Sequence, residues 1–160
     1  MDKTKILFVC LGNICRSPSA EGILKKMVKE RGLENQFFID SAGLLHYHEG
    51  DLPDDRMRVY AARRGYNLDS RSRPVKYDDF FNFDLIIGMD DQNIAALNRL
   101  APDSDSAKKI HRMTEFCTKF DMDHVPDPYY GGAKGFELVL DLLEDACERL
   151  LEKYKQKKQS

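Results

Sequence analysis

The spacing of apolar residues changes several times along the chain, and each change marks an element. Lys5 to Cys10 (KILFVC) is a continuous apolar run of strand length, followed by the turn-forming pair Gly12-Asn13. A run without alternation suits a central strand covered on both faces. From Ser17-Pro18 the period becomes helical, with Ala20, Ile23, Leu24 and Met27 at helical spacing and Gly32 placed to end the helix. Ser17 is expected to cap this helix and Pro18 to be its first residue.

Phe37 to Ser41 (FFIDS) predicts a second strand, and Gly43 to Leu52 a loop carrying His46, Tyr47 and His48. Pro53 opens a helix predicted to run through Arg64 and stop at Gly65, and Asp69 to Lys76 reads as a basic connection. Asp84 to Met89 (DLIIGM) predicts a third strand. Asp90-Asp91 lead into a helix ending near Leu100-Ala101-Pro102, and Lys108 to Met113 predicts a fourth strand. A turn-rich loop from Val125 to Gly132 precedes a long amphipathic helix from Phe136 to about Tyr154. Strands alternating with helices predict an α/β protein with a parallel sheet and right-handed crossovers. No repeat or second domain is visible, so residues 1–160 are expected to form one domain. Ligands of such sheets bind beyond the carboxyl ends of the strands, which is where Cys10 falls.

Composition narrows the class without naming a function. The 160 residues are 42% hydrophobic and 32% charged, as in folded globular proteins. A net charge of −2, from 25 Lys+Arg and 27 Asp+Glu, supplies no basic field, so nucleic acid is not an expected partner. No stretch approaches the ~18 apolar residues of a membrane span, and the first apolar run is too short for a secretion signal. No membrane partner is expected, and Cys10, Cys15, Cys117 and Cys147 are expected as thiols in a reducing cytoplasm. The chain is expected to be a monomer, with a weak dimer as the alternative. The basic end, Lys153 to Lys158, reads as a solvated helix terminus.

The chemistry concentrates in Cys10-Leu11-Gly12-Asn13-Ile14-Cys15-Arg16-Ser17, which joins a strand end to a helix start. Backbone N–H groups converge on an anion in that geometry, helped by the helix dipole. Gly12 and Asn13 suit the positive φ of a tight loop. Arg16 adds a fork of donors matching two oxygens of a tetrahedral anion. Donors that hold phosphate also favour a thiolate, so Cys10 is expected to be ionised near neutral pH and able to attack phosphorus. Ser17 is placed to donate its hydroxyl to that sulfur. A cysteinyl-phosphate reaction also needs a group that protonates the leaving oxygen and then activates water. Asp127, in Asp127-Pro128-Tyr129-Tyr130-Gly131-Gly132, is the candidate, because the following proline restricts its backbone. A bland reading remains beside each: a buried core cysteine near a surface arginine, and an ordinary Asp-Pro turn. A metal site at His46 and His48 lacks further ligands at suitable spacing, and no metal or cofactor is expected.

These residues resemble the low-molecular-weight protein tyrosine phosphatase family over nearly the whole chain. The matching pieces are Val9 to Pro18, Ser41-Ala42-Gly43, Met89-Asp90 and Asp127 to Gly131. The resemblance implies a three-layer fold, with a four-stranded parallel sheet flanked by helices. It implies hydrolysis of phosphotyrosine in proteins or peptides through a phosphocysteine, with phosphate or another oxyanion in the loop formed by residues 11–17. Cys10 would be the nucleophile, Arg16 the clamp and Asp127 the acid and then the base. Asn13, Ser17 and Ser41 would support the loop, and Leu11, Tyr47, Tyr129 and Tyr130 would wall the substrate slot. Cys15 would form a reversible disulfide with Cys10 under oxidation. Ile14 resembles the phosphotyrosine-directed members. A histidine that supports the loop asparagine in many eukaryotic members is replaced here, with Arg71 the expected match and its partner open. Two other classes compete. An arsenate reductase would need further relay cysteines, and the stretch Ile86 to Gln92 has none. A non-catalytic phosphoprotein-binding module would not need the acid.

Overall fold

A computed structural model describes residues 2–128 and 132–156. Its sheet is built from β1 (Thr4–Cys10), β2 (Phe37–Gly43), β3 (Leu85–Gly88) and β4 (Ile110–Arg112). The strands lie in the order β2-β1-β3-β4, and every neighbouring pair is parallel. The continuous apolar run therefore occupies a central strand. Its side chains alternate faces: Ile6, Phe8 and Cys10 enter one core, and Leu7 and Val9 the other.

Helices complete the three layers: α1 (Arg16–Glu30), α2 (Asp55–Arg63), α3 (Asp79–Asn82), α4 (Asp91–Leu100), α5 (Ser104–Ala107) and α6 (Gly132–Tyr154). The larger core joins β1 to Ile23 and Leu24 of α1, Met57 and Ala61 of α2, and Leu140, Leu143, Cys147 and Leu150 of α6. On the other face Leu7, Val9 and Ile86 pack with Phe80, Phe83 and Leu97. Cys147 is fully buried in the first core, and Cys117 is half-buried with its thiol near the Leu142 carbonyl. No described helix is long and apolar enough to cross a membrane.

Gly32 ends α1 as expected. Its φ is 67°, its N–H donates to the Lys29 carbonyl, and the Leu33 N–H reaches Val28. This pairing of the last carbonyls needs a left-handed residue after the helix. Three local expectations are corrected. Helix α1 begins at Arg16, with Cys15 as its N-cap and no side-chain cap, so Ser17 does not cap and Pro18 is not its first residue. The Ser17 hydroxyl faces the sulfur of Cys10 instead. Helix α2 begins at Asp55, because the Asp54 carboxylate caps it by accepting from the Arg56 and Met57 N–H groups. The basic connection is followed by the one-turn helix α3, which no apolar period announced.

Candidate active site

The parallel register brings the carboxyl ends of β1, β2 and β3 together. Cys10 is paired with Gly43, and Val9 with Gly88. The chain leaves β1 at Cys10, turns through residues 11–15 and enters α1 at Arg16. A cleft of about 240 Å³ opens over this turn, lined by Cys10, Leu11, Gly12, Ile14, Cys15, Arg16, Leu45, Tyr47, His48 and Asp127.

Cys10 is buried at the base of the turn, with its Sγ 3.0 Å from Ser17 Oγ and 3.5 Å from the Ser17 nitrogen. Helix α1 has no acidic residue and no capping side chain in its first turn, so its positive end is left for the sulfur and an anion beside it. Asn13 has φ 56°. Gly12, also expected in that region, does not adopt it. Its missing side chain leaves room for His48, whose ring carbon lies 3.3 Å from where a Cβ would stand.

Asn13 holds the turn from behind. Its amide donates to Ser17 Oγ at 2.8 Å and Ser41 Oγ at 3.0 Å, and its oxygen accepts the Arg73 N–H at 3.0 Å. Gly43 permits the close approach of β2, since a Cβ there would meet Asn13 Cβ at 3.0 Å and Gly12 carbonyl carbon at 3.1 Å. Ser72 Oγ donates to the Gly12 carbonyl. Arg71, the match for the family histidine, is exposed and donates to the Gly50 carbonyl; the partner left open is supplied by the two residues that follow it, the Ser72 hydroxyl and the Arg73 backbone.

Arg16 is 2% exposed. Its Nη1 donates to Asp90 Oδ2 at 2.7 Å and to the Val125 carbonyl at 2.9 Å, and its Nη2 lies 3.8 Å from Asp127 Oδ2. Burial opposes the charge, but Cys10, Asp90 and Asp127 outweigh it and hold the guanidinium above its ordinary pKa. The Val125 N–H donates to the Met89 carbonyl at 2.8 Å, which fixes the Asp127 loop to the end of β3. Burial pushes the Cys15 thiol far up, reinforced by Asp54, Cys10 and Asp127. All four cysteines are free.

The cleft thus brings together Cys10, Leu11, Gly12, Ile14, Cys15, Arg16, Tyr47 and Asp127, with Asn13, Ser17 and Ser41 behind them. Tyr129 and Tyr130, expected as slot walls, lie outside the described residues. Leu45, His48, Glu21, Ser72 and Arg73 were not expected from sequence. Glu21 carried a signal: it falls on the buried stripe of α1 with Ser17, Leu24 and Val28, where a carboxylate is out of place.

Fold and cleft together define a three-layer α/β protein with a cysteine- and arginine-lined cleft between its central strand and a helix N-terminus. A family model described as low molecular weight phosphotyrosine protein phosphatase matches residues 5–160. The crystal structure of a protein tyrosine phosphatase from Entamoeba histolytica superposes with a TM-score of 0.91 at 51% identity, covering 94% of this chain and 96% of that one. The low molecular weight protein-tyrosine-phosphatase YfkJ of Bacillus subtilis is 39% identical over 155 residues, 96% of this chain and 97% of its own. Its crystal structure gives a TM-score of 0.89. A low molecular weight protein-tyrosine-phosphatase of Streptomyces coelicolor is 40% identical over 150 residues, 92% of this chain and 91% of its own. The chain belongs to the low molecular weight phosphotyrosine protein phosphatase family, and it is a phosphatase.

Proposed function

We propose that this chain, as one domain, hydrolyses phosphotyrosine in proteins or peptides through a phosphocysteine, in a reducing cytoplasmic setting. In the first step Cys10 Sγ attacks phosphorus and the bond to the tyrosyl oxygen breaks. Asp127 gives its proton to that oxygen, which leaves as the neutral phenol. Amides of the turn and Arg16 take up the charge on the equatorial oxygens. In the second step the Asp127 carboxylate removes a proton from water as its oxygen attacks phosphorus. The S–P bond breaks, phosphate leaves, and the sulfur returns as thiolate with the Ser17 hydroxyl beside it.

The observation that carries this reading is the meeting of three groups around one cleft: Cys10 at its base, Arg16 within it, and Asp127 3.8 Å from that guanidinium. The relative from Entamoeba histolytica holds Hepes in its active site, and Hepes carries a sulfonate, a tetrahedral anion. Leu11 and Tyr47 provide apolar walls suited to an aromatic leaving group. Rapid-quench trapping with phosphotyrosine, phosphoserine and phosphoarginine peptides tests the reading. Phosphate is expected on Cys10 during phosphotyrosine turnover; turnover that never leaves phosphate on Cys10 overturns the mechanism.

A further inference from the structure

The hydrogen bonds behind the turn do not stop at Ser41. Ser41 Oγ donates to Glu21 Oε1 at 2.5 Å, and Glu21 Oε2 accepts from Lys25 Nζ at 2.5 Å. Glu21 is 4% exposed, whereas the Lys25 side chain is half in water. An unbroken chain thus runs from a surface ammonium to the buried sulfur: Lys25, Glu21, Ser41, Asn13, Ser17, Cys10.

The directions in this chain are set from two places, the Glu21 carboxylate at one end and the Arg73 N–H on the Asn13 oxygen in the middle. An ionised carboxylate only accepts, so the single Ser41 proton points to Glu21. Ser41 is then an acceptor towards Asn13 and takes one amide hydrogen. The other amide hydrogen goes to Ser17, while the Asn13 oxygen holds the Arg73 N–H. Ser17 Oγ, already accepting, has its own proton for Cys10 Sγ 3.0 Å away, a nearer partner than the Ala42 carbonyl at 3.5 Å. A neutral Glu21 can donate to Ser41 instead, which leaves the Ser41 proton undirected and weakens Ser41 as an acceptor for Asn13, while the Arg73 N–H keeps the amide oriented.

Something must keep a buried carboxylate ionised. Burial outweighs the Lys25 and Ser41 hydrogen bonds and leaves the Glu21 carboxyl above its ordinary pKa, so its ionised form depends on those two partners. The other charge facing it, Asp40 of β2, favours the neutral form and is itself held by Arg73. Lys25 is the cation in contact with Glu21, and it borders a groove of about 620 Å³ floored by Pro18, Gly22 and Leu68.

We propose that Lys25 is a positioning residue of the active site: its ammonium, acting through Glu21, holds Ser41 as an acceptor for Asn13 and so steadies the turn whose hydrogen bonds end on Cys10. The proposal rests on Cys10 being the nucleophile, but its main test needs no substrate. Alkylation of Cys10 by iodoacetamide is followed by mass spectrometry across pH for the wild type, Lys25→Met, Lys25→Arg and Glu21→Gln. Lys25→Met is expected to alkylate about tenfold more slowly at about pH 6, to converge with wild type in base, and to lose kcat with little change in KM. Its thermal midpoint is measured alongside, since Lys25→Met leaves the buried Glu21 without its cation, and alkylation is compared at temperatures where both proteins are folded. Lys25→Arg should restore the profile. An unchanged Cys10 profile in folded Lys25→Met overturns the proposal, as does a change that Arg does not rescue. Glu21→Gln, if folded, should match or exceed the Lys25→Met effect; if it does not fold, Lys25→Met decides. Turnover retained in Cys10→Ser would sink the phosphatase mechanism while leaving the alkylation comparison valid.

Discussion

Arg16 Nη1 donates to Asp90 Oδ2 at 2.7 Å, a bond between the first residue of α1 and the residue that caps α4. It anchors the guanidinium from one side and leaves Nη2 towards Asp127. Asp90→Ala should lower kcat/KM about 10- to 100-fold through a misplaced clamp. Losing the cap on Asn93 should also cost about 1 kcal/mol of stability. Asp90→Asn retains the capping oxygen, so a catalytic loss with little change in urea midpoint separates the two roles.

Asp127 is proposed to protonate the leaving oxygen, a service that only a poor leaving group needs. Asp127→Ala should lose about 10²–10⁴-fold with phenyl phosphate or phosphotyrosine and far less with a strongly activated aryl phosphate. Equal losses across a series of leaving groups would remove Asp127 from the acid role.

Asn13 combines a left-handed backbone with three side-chain hydrogen bonds. Asn13→Gly keeps the backbone and loses the bonds; Asn13→Ala loses both. Alanine should therefore be less stable than glycine by about 1 kcal/mol in denaturant titrations, with both variants strongly impaired in turnover.

Oxidation by peroxide should be reversible in the wild type. Attack at Cys10 gives a sulfenic acid, which condenses with the Cys15 thiol to a disulfide and water. Burial holds Cys15 as a thiol, so Cys10 is the residue oxidised first. Dithiothreitol should restore wild-type activity but not that of Cys15→Ser, whose Cys10 proceeds to sulfinic acid; the mass of the Cys10 peptide reports which product forms.

Far from the cleft, Asp145 of α6 ties down the segment after β4. Burial pushes its carboxyl up, but the N–H groups of Lys119, Thr118 and Phe120 and the Thr118 hydroxyl outweigh this and hold it below the ordinary aspartate value of 3.8. A carboxyl depressed in the folded state adds stability that is present above its unfolded pKa and is lost as pH falls through the folded one. Asp145→Ala should cost about 1–2 kcal/mol at neutral pH by removing the acceptor of the part-buried N–H groups of Thr118, Lys119 and Phe120. The gap to wild type should narrow below about pH 4, as measured by urea unfolding at a series of pH values.

The elements that the sequence revealed were those whose signal is local. The run through β1, the stripe of α6 and the glycine after α1 each follow from short-range spacing, and so does the strand–turn–helix around Cys10. What stayed hidden depended on distant partners. Of the two uses expected of Ser17, the contact with the Cys10 sulfur is found and the local one, a helix cap before proline, is not. Helices α3 and α5 have four residues each, too few for an apolar period. Ser72 and Arg73 reach the turn through contacts 60 residues apart in sequence, and nothing in their own neighbourhood indicates it.

The wall of the cleft is fastened at its two ends to the turn it overlooks: Leu45 N–H bonds the Leu11 carbonyl, and Asp54 N–H bonds the Ile14 carbonyl. Between these stitches the tip carries Tyr47, which is 77% exposed and stacked on His46. Gly50 and Asp51 of the same segment bond Ser72, which in turn holds Gly12, so the far side of the wall braces the turn and only the tip at Tyr47 projects free of that bracing.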